Sequence, residues 1–260
     1  MTATPTLSII IPAFNEELRL QKSLDRILDY LANRPFSAEI IVVNDGSSDG
    51  TGRVVADFRK KCPIIREVLN ERNRGKGYSV RRGMLEACGD LTLFTDADLS
   101  APIEEADKLL EVLRDGDFDG AIGSRAVDRK AIEVHESGFR ELAGIIFNRM
   151  VRLLVGVDFA DTQCGFKAFR RERVRIVFEQ QLTEGFGFDP EILFLARRHG
   201  LRIAEVSVRW AHDPATKVHM VRDSVKMFLD LLLIRLNSWS GRYPRQSAKR
   251  VRAAVASKRL

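Results

Sequence analysis

The 260-residue chain has no apolar run of the ~18 residues that a membrane-spanning helix needs. Its nearest approach, "MFLDLLLIRL" from Met227 to Leu236, is broken by Asp230 and Arg235, so contact with a bilayer is expected to lie along the surface. No basic residue precedes Arg19, and the first apolar stretch, Leu7 to Ile11, is too short for a signal-peptide core; export is not expected. Cysteine is scarce. Cys62, Cys88 and Cys164 are odd in number and unclustered, which excludes a disulfide framework and fits a reducing cytosol. His135, His199, His212 and His219 form no HExxH or other close pair, so a zinc centre is not expected. Two nucleotide fingerprints are also missing. Gly50-Thr51-Gly52 and Gly75-Lys76-Gly77 lack the third glycine of a dinucleotide loop, and Gly77-Tyr78 after Lys76 leaves no Walker Lys-Ser/Thr pair, which removes support for hydride transfer and P-loop hydrolysis.

What is present is an ordinary globular composition, 45% apolar and 30% charged, long enough for a full core. The net charge of +6 is uneven: Arg242 to Leu260 holds seven basic residues and no acidic one, so the preceding 241 residues are close to neutral. Short β-rich runs start at Leu7, Ala38, Ile64, Leu91 and Gly120. Helical patterns over Glu16–Asn33, Asp49–Lys61, Gly77–Ala87 and Glu104–Arg114 separate them. The runs at Leu7, Ala38 and Leu91 are near-continuous Ile, Val, Leu and Phe, as in parallel strands covered on both faces. Repeated strand-helix alternation predicts an α/β fold with a doubly wound, mostly parallel sheet, whose ligands bind at the carboxyl ends of the strands. A further strand is expected over Arg202–Trp210, in a more helical second half.

The stretch "LTLFTDADLSAPIEE", Leu91 to Glu105, sets a chemical problem. If the strand runs through Asp98, Asp96 and Asp98 project to one face and Ala97 to the other. Adjacent carboxylates repel, and relief comes from a cation, from donors or from a proton. Hard oxygen ligands suit Mg²⁺ or Mn²⁺, held by one or two carboxylates together with substrate phosphates. The plainer alternative is a surface turn that starts a helix, since Ser100-Ala101-Pro102 precedes Glu104 and Glu105. The other strand ends tip the balance. They deliver "PAFNEE", "NDGSSDGT", "NERNRGKGYSVRRG" and "GSR" to the same edge, a cleft with carboxylates on one side and Lys76 and Arg125 on the other. That pattern suits a nucleotide diphosphate with its metal.

The ordered segments "IIIPAFNEE", "VVNDGSSDGT", "NRGKGYSVRRGM", "FTDADLS", "GSR", "DTQCGFKAFRRE", "FGFDPEILFLARRHG" and "EVSVRW" followed by Lys217 resemble family-two glycosyltransferases of the GT-A fold. The likeness is greatest to the dolichyl-phosphate glucosyltransferases and bacterial polyprenyl-phosphate relatives, and runs from Leu7 to about Leu236. It implies glucose transfer from UDP-glucose to a polyprenyl phosphate with inversion. Mannosyl transfer from GDP-mannose and a soluble hydroxyl acceptor stay open as alternatives. It implies that Pro12, Ala13, Phe14, Glu16 and Asp45 hold the nucleoside, that Asp96 with Ala97 faces the ribose or base, and that Asp98, beside Asp96, binds the Mg²⁺ or Mn²⁺ on the donor diphosphate. Lys76, Arg125 and Lys217 would meet phosphates, and Arg125, Arg140 and Lys167 the acceptor, with Asp98, Arg125, Arg140 and Lys217 closest to the chemistry. Asp161 is expected to brace the "DTQCGFK" loop, and Asp189 to cap a helix at Pro190.

On this reading residues 1–241 form the transferase domain, with a nucleotide-binding half of about 1–125 and an acceptor half of 126–241, ahead of a basic tail at 242–260. Asn44 departs from the pattern, standing where many relatives have Asp. The N-terminal anchor of the eukaryotic relatives is not seen, so attachment to the cytoplasmic face of a membrane must come from elsewhere. Two apolar helices with basic residues, from Phe139 and from Val221, could supply it. In the second, Val221, Val225, Phe228, Leu232, Leu236 and Trp239 recur at helical spacing, with Met227, Leu231 and Ile234 widening the face. Core packing is the plainer reading, but an apolar face plus a polybasic tail is a two-signal anchor to an anionic membrane surface. A nucleic-acid partner is not expected: only Trp239 and Tyr243 lie near the tail and no base-reading motif is visible.

Overall fold

Strand β1 (Leu7–Ala13) leads into helix α1 (Glu17–Ala32), and the same alternation continues through β2 (Ala38–Asn44), α2 (Thr51–Lys61), β3 (Ile65–Leu69), α3 (Lys76–Glu86) and β4 (Leu91–Phe94). A 3-10 turn (Ile103–Glu105), α4 (Ala106–Arg114) and β5 (Gly120–Ser124) complete the regular half. Beyond it lie β6 (Ile132–Val134), α5 (Gly138–Val155), β7 (Lys167–Arg170), α6 (Arg171–Gln180), α7 (Phe188–Arg198), β8 (Ile203–Ser207), β9 (Trp210–Ala211) and α8 (Met220–Trp239). This computed structural model describes residues 4–127, 132–134, 138–211 and 220–244, with side chains over 4–127, 146–211 and 224–244.

The main sheet has seven strands in the order β3-β2-β1-β4-β7-β5-β8. β1 pairs in parallel with β2 and with β4, β2 with β3, and β5 with β8. β7 runs antiparallel between β4 and β5. The expected doubly wound, mostly parallel sheet is therefore present, with one reversed strand that the sequence reading did not anticipate. β7 is four residues long and starts with Lys167, which is wholly buried. Neither its length nor its composition marks it as a strand.

Both faces of the sheet are covered, which is why β1 reads as an unbroken apolar run. Ile9 and Ile11 pack with Leu20, Leu24 and Ile27, spaced by four and three on α1. Ile10 faces the other layer, with Ile41, Val43, and Val80 and Met84 of α3. Each fully buried Leu or Ile contributes roughly 1.5–3 kcal/mol relative to an exposed one, so this alternation locks the register of the central strands.

Chain order and strand order diverge at one place. From β1 the chain moves outward to β2 and β3, then returns to β4 on the other side of β1. That reversal opens a crevice beyond the carboxyl ends of β1 and β4. The expected basic tail begins later than Arg242: Tyr243 is fully buried, with its hydroxyl donating to Glu191 at 2.6 Å, and the Pro244 carbonyl accepts from Gln180 at 2.9 Å. The remaining tail lies outside the described residues, as does Lys217. Among the described residues no helix is long and apolar enough to cross a membrane.

Candidate active site

At the carboxyl ends of β1 and β4 lies a cleft of about 1060 Å³. Pro12, Ala13, Phe14 and Glu16 line it after β1, Asp45 after β2, Lys76 at the start of α3, Asp96, Ala97 and Asp98 after β4, and Arg125 after β5. The alternation argument for the carboxylate pair needs correction, because β4 ends at Phe94 and Asp96-Ala97-Asp98 sits in a turn. What holds the pair together is backbone geometry. Leu99 adopts φ 51°, uncommon for a residue with a side chain, and its N–H donates to the Asp96 carbonyl at 3.1 Å. The Ser100 N–H donates to Asp98 Oδ1 at 3.0 Å, and Ser23 Oγ–H to the Ala97 carbonyl at 2.6 Å. A tight turn pinned from three sides thus places both carboxylates in the cleft.

Their environments differ. Asp96 Oδ1 is 2.5 Å from Lys76 Nζ. Gly165 fits tightly behind it, since a Cβ there would stand 2.2 Å from Asp96 Oδ2. Among the described residues the one cation within 4 Å of Asp98 is Arg19, with Nη1 at 3.9 Å. Burial, then the charge of Asp96, pushes the Asp98 carboxyl above its ordinary range. Burial works against the Lys76 ammonium, but Asp96, Asp189 and Asp98 outweigh it and hold its pKa above normal. Lys76 is therefore a fixed positive charge inside the cleft.

A divalent cation fits this donor set. Asp98 is a hard carboxylate with no cation closer than 3.9 Å among the described residues, and Asp96 beside it is matched by Lys76. Among the described residues no group of three or more His, Cys, Asp or Glu could hold a metal ion alone. A cation here would need further oxygens from outside the protein, such as water or phosphate, as Mg²⁺ sites commonly do.

The loops after β1 and β2 are tied together. The Asn15 N–H donates to Ser47 Oγ at 3.0 Å, Asn15 Oδ1 accepts from the Ser48 N–H at 2.8 Å, and the Glu16 N–H donates to Thr51 Oγ1 at 2.8 Å. Asp45 is buried and accepts from Asn70 Nδ2, the Arg74 N–H and the Gly75 N–H at 2.6, 3.0 and 2.8 Å, which fixes the loop ahead of α3. Asn44 is buried away from the cleft lining. It donates to Glu67 at 2.9 Å and accepts from the Ser47 N–H at 3.0 Å, so its carboxamide braces the turn.

On the other wall Arg125 lies 5.2 Å over the Trp210 ring, and its Nε donates to Asp161 at 2.6 Å and its Nη2 at 2.9 Å. Burial opposes ionisation of Asp161, but Arg125 prevails and holds its carboxyl at about 2. Asp161 also accepts from the Gln163 N–H at 3.0 Å, the bracing role expected of it. Much of the Arg125 charge is thereby matched before any phosphate arrives.

Lys167 and Asp189 require correction. Lys167 is wholly buried, its ammonium bound by Asp189 and donating to the Cys164 carbonyl at 2.6 Å. It does not line the cleft and cannot meet an acceptor phosphate there. Asp189 makes no cap to α7; the capping position is Gly187, and the Asp189 carboxylate is spent on Lys167. The side chain of Arg140 lies outside the described residues.

Several cleft residues escaped the sequence reading. Arg19 lines the cleft and grips Glu16 through Nε at 2.7 Å and Nη2 at 2.8 Å. Its position three residues after Glu16 at the start of a helix was a usable signal. Gly165, Phe186, Trp210 and the α8 residues Lys226, Met227, Leu229, Asp230 and Leu233 also line it. Only the fold brings those segments to β1.

A crevice at the point where strand order reverses, carrying a carboxylate pair opposite a lysine, defines a nucleotide-binding α/β domain of the GT-A type. The chain belongs to glycosyl transferase family 2, whose model matches residues 8–177. It is 34% identical over 260 residues to a human dolichyl-phosphate beta-glucosyltransferase, covering 95% of this chain and 80% of that one. It is 39% identical over 241 residues to the Drosophila melanogaster protein of the same name, covering 88% and 74%. Among solved structures, glucosyl-3-phosphoglycerate synthase from Mycobacterium tuberculosis with Mn²⁺, UDP and glucosyl-3-phosphoglycerate matches with a TM-score of 0.64, at 20% identity over 94% of this chain and 82% of that one. That likeness establishes the fold.

Proposed function

We propose that this protein transfers glucose from UDP-glucose to a polyprenyl phosphate of the dolichyl type, inverting the anomeric centre. The observation that carries the reading is the mixed character of one cleft. Its deep end holds Asp98, Asp96 and Lys76, while its rim includes Phe186, Leu229 and Leu233, which are 37%, 50% and 50% exposed. A cleft for two wholly polar substrates has no use for that rim. The names of the similar proteins, which this chain covers over most of their length, support glucose and a dolichyl phosphate.

In this mechanism a phosphate oxygen of the acceptor attacks the anomeric carbon. The bond from that carbon to the donor diphosphate breaks, and its electron pair leaves with UDP. A phosphate monoester has a second pKa near 6 and is largely dianionic at neutral pH, so no side chain need remove a proton. Asp98, with Asp96, would hold Mg²⁺ or Mn²⁺, which when bound stabilises charge on the departing diphosphate. Lys76 supplies a preorganised positive charge next to the same pair. Arg125 is set by Asp161 and Trp210 as an oriented donor in the wall.

We also infer peripheral attachment to an anionic membrane surface facing the cytosol. Val225, Leu229, Leu232, Leu236 and Trp239 recur at spacings of four and three along α8 and are 56%, 50%, 37%, 54% and 73% exposed. Leu231 and Ile234 turn inward and are fully buried. The helix thus separates a packing face from an outward apolar stripe, and Arg235 lies 5.3 Å over the Trp239 ring of the latter. Cys62, Cys88 and Cys164 are free thiols, as suits a reducing compartment.

The test is a panel of radiolabelled UDP- and GDP-sugars offered with polyprenyl phosphate and Mn²⁺ or Mg²⁺. Label from UDP-glucose should enter the organic phase as a phosphodiester. Label that stays aqueous with prenyl phosphate but transfers to a soluble hydroxyl compound would overturn the reading.

A further inference from the structure

Among the described residues five cations line the cleft: Arg19, Arg74, Lys76, Arg125 and Lys226. The first four are held by carboxylates. Arg19 grips Glu16 at 2.7 Å, Arg74 donates through Nε to Glu184 at 3.1 Å, Lys76 lies 2.5 Å from Asp96, and Arg125 donates to Asp161 at 2.6 Å. Lys226 differs. It is exposed, and among the described residues its ammonium makes neither an ion pair nor a hydrogen bond. Asp230, four residues further along α8, packs against Gly187, where a Cβ would stand 2.4 Å from Asp230 Oδ2.

The place of this cation matters as much as its lack of a partner. Lys226, Leu229 and Leu233 follow one another at spacings of three and four on α8, so they share a face, and all three line the cleft. Leu229 also belongs to the outward apolar stripe, with Val225, Leu232, Leu236 and Trp239. It is thus common to the cleft and to the surface assigned above to the membrane. A lipid acceptor whose chain stays with that surface enters the cleft over Leu229. A cation three residues away, about 4.5 Å along the helix axis, stands where its headgroup passes. Lysine suits such a border, because its hydrocarbon stem lies along apolar side chains while its ammonium stays in water. Charge balance points the same way. A phosphate monoester arrives largely dianionic, yet Arg125 and Lys76 are already matched and Lys167 is sealed in the core.

We propose that Lys226 binds the phosphate of the lipid acceptor at the entrance of the cleft, as the charged part of an amphipathic subsite whose apolar part is Leu229 and Leu233. The proposal rests on the prenyl-phosphate reading given above. An anionic headgroup of the bilayer offers related phosphate chemistry, so the experiment separates the two sources.

Lys226→Gln and Lys226→Arg are compared with the parent in steady-state transfer from UDP-glucose to polyprenyl phosphate in non-ionic detergent, where no anionic headgroup competes. Lys226 is exposed and unpaired, so neither substitution threatens the fold. Lys226→Gln should raise the acceptor KM about tenfold, the scale of one charge-assisted hydrogen bond, and leave the donor KM within about twofold. Lys226→Arg keeps the charge and should stay within about threefold of the parent. An unchanged acceptor KM in Lys226→Gln, an equal rise in both KM values, or an Arg variant as poor as Gln each overturns the proposal. An unchanged acceptor KM together with weaker flotation of Lys226→Gln on anionic vesicles gives the ammonium to bilayer headgroups and overturns it likewise. A parent that gives no transfer to prenyl phosphate refutes the functional reading before any variant is compared. The subsite is then decided by binding in the same detergent: the parent must retain polyprenyl phosphate over polyprenol, and Lys226→Gln must lose most of that preference. No preference in the parent, or the same preference in both proteins, overturns it.

Discussion

Replacing Lys167 by Met removes one charge from a pair that sees no solvent. Lys167 is 0% and Asp189 3% exposed, and the ammonium of Lys167 is the direct partner of that carboxylate. Truncating one member of a buried pair typically costs about 3–5 kcal/mol, because the other charge is left uncompensated. Two features set an upper limit. Lys76 lies close enough to stabilise the Asp189 anion. Asp189 can also take up a proton, which for a carboxyl of pKa ~3.9 costs about 4 kcal/mol at pH 7 and about 1.5 kcal/mol at pH 5. Burial already holds the Asp189 carboxyl above its ordinary value, so the protonation route is cheaper than that. The expected loss is therefore about 3 kcal/mol at pH 7, or a melting temperature lower by roughly 6–12 °C for a chain of this size. The sign of the pH dependence follows from linkage. A carboxyl whose folded pKa is raised stabilises below its unfolded pKa and loses that contribution as pH rises through the folded value. The deficit of Lys167→Met should shrink by at least about 1 kcal/mol between pH 7 and pH 5. Removing the second charge as well, in Lys167→Met/Asp189→Leu, should recover most of the loss. Urea midpoints of parent, single and double variants at both pH values decide the matter. A Lys167→Met protein as stable as the parent at both pH values, with a raised acceptor KM, would show that Lys167 serves the acceptor and that the buried-pair argument is wrong.

Asp98→Asn should abolish transfer and remove the enhancement of UDP binding by Mn²⁺ in calorimetry; unchanged metal-dependent binding would move the metal elsewhere. Gly165→Ala places a methyl 2.2 Å from Asp96 Oδ2 and should cost at least about tenfold in kcat/KM for the donor, with a melting temperature near that of the parent. Asp161 is held at about 2 by Arg125, so it contributes about 2 kcal/mol above pH 4 that fades as the pH falls towards 2. Asp161→Asn should be less stable than the parent at pH 6 and lose less on acidification, as urea midpoints would reveal. Leu232→Gln/Leu236→Gln/Trp239→Gln should reduce flotation with anionic vesicles by well over tenfold, at roughly 1.5–3 kcal/mol for each buried side chain, and leave UDP binding intact.

The chain through β5 was legible because its sequence repeats one rule. Buried parallel strands write themselves as apolar runs, and polar clusters follow where those strands end, so the sequence alone puts Pro12, Asp45, Asp96 and Asp98 on one edge. The carboxylate pair was found for an incomplete reason. Strand alternation put Asp96 and Asp98 on a common face, yet β4 stops at Phe94 and the strained backbone of Leu99 does the work. Nothing in "TDADLS" announces a left-handed leucine, because that conformation is imposed by neighbours such as Ser23 and not by local preference.

The chain beyond β5 was less legible for a different physical reason. Its chemistry depends on which charges find partners, and pairing is a property of the fold. Lys76 and Lys167 each follow a glycine by one or two positions, yet one points into the cleft at Asp96 and the other is sealed in the core by Asp189. The same ambiguity runs along α8. A helical wheel groups Leu231 and Ile234 with Leu232 and Leu236, and only the packed neighbours divide them into an inward and an outward set. That division also gives Asp230 its meaning. In the sequence it interrupts an apolar run and argues against a spanning helix. In the fold it lines the cleft and packs closely against Gly187. A residue that breaks a local pattern without benefit to local stability is where function is to be sought. By that criterion Leu99 stands out: its left-handed backbone sets the turn that carries both carboxylates into the cleft.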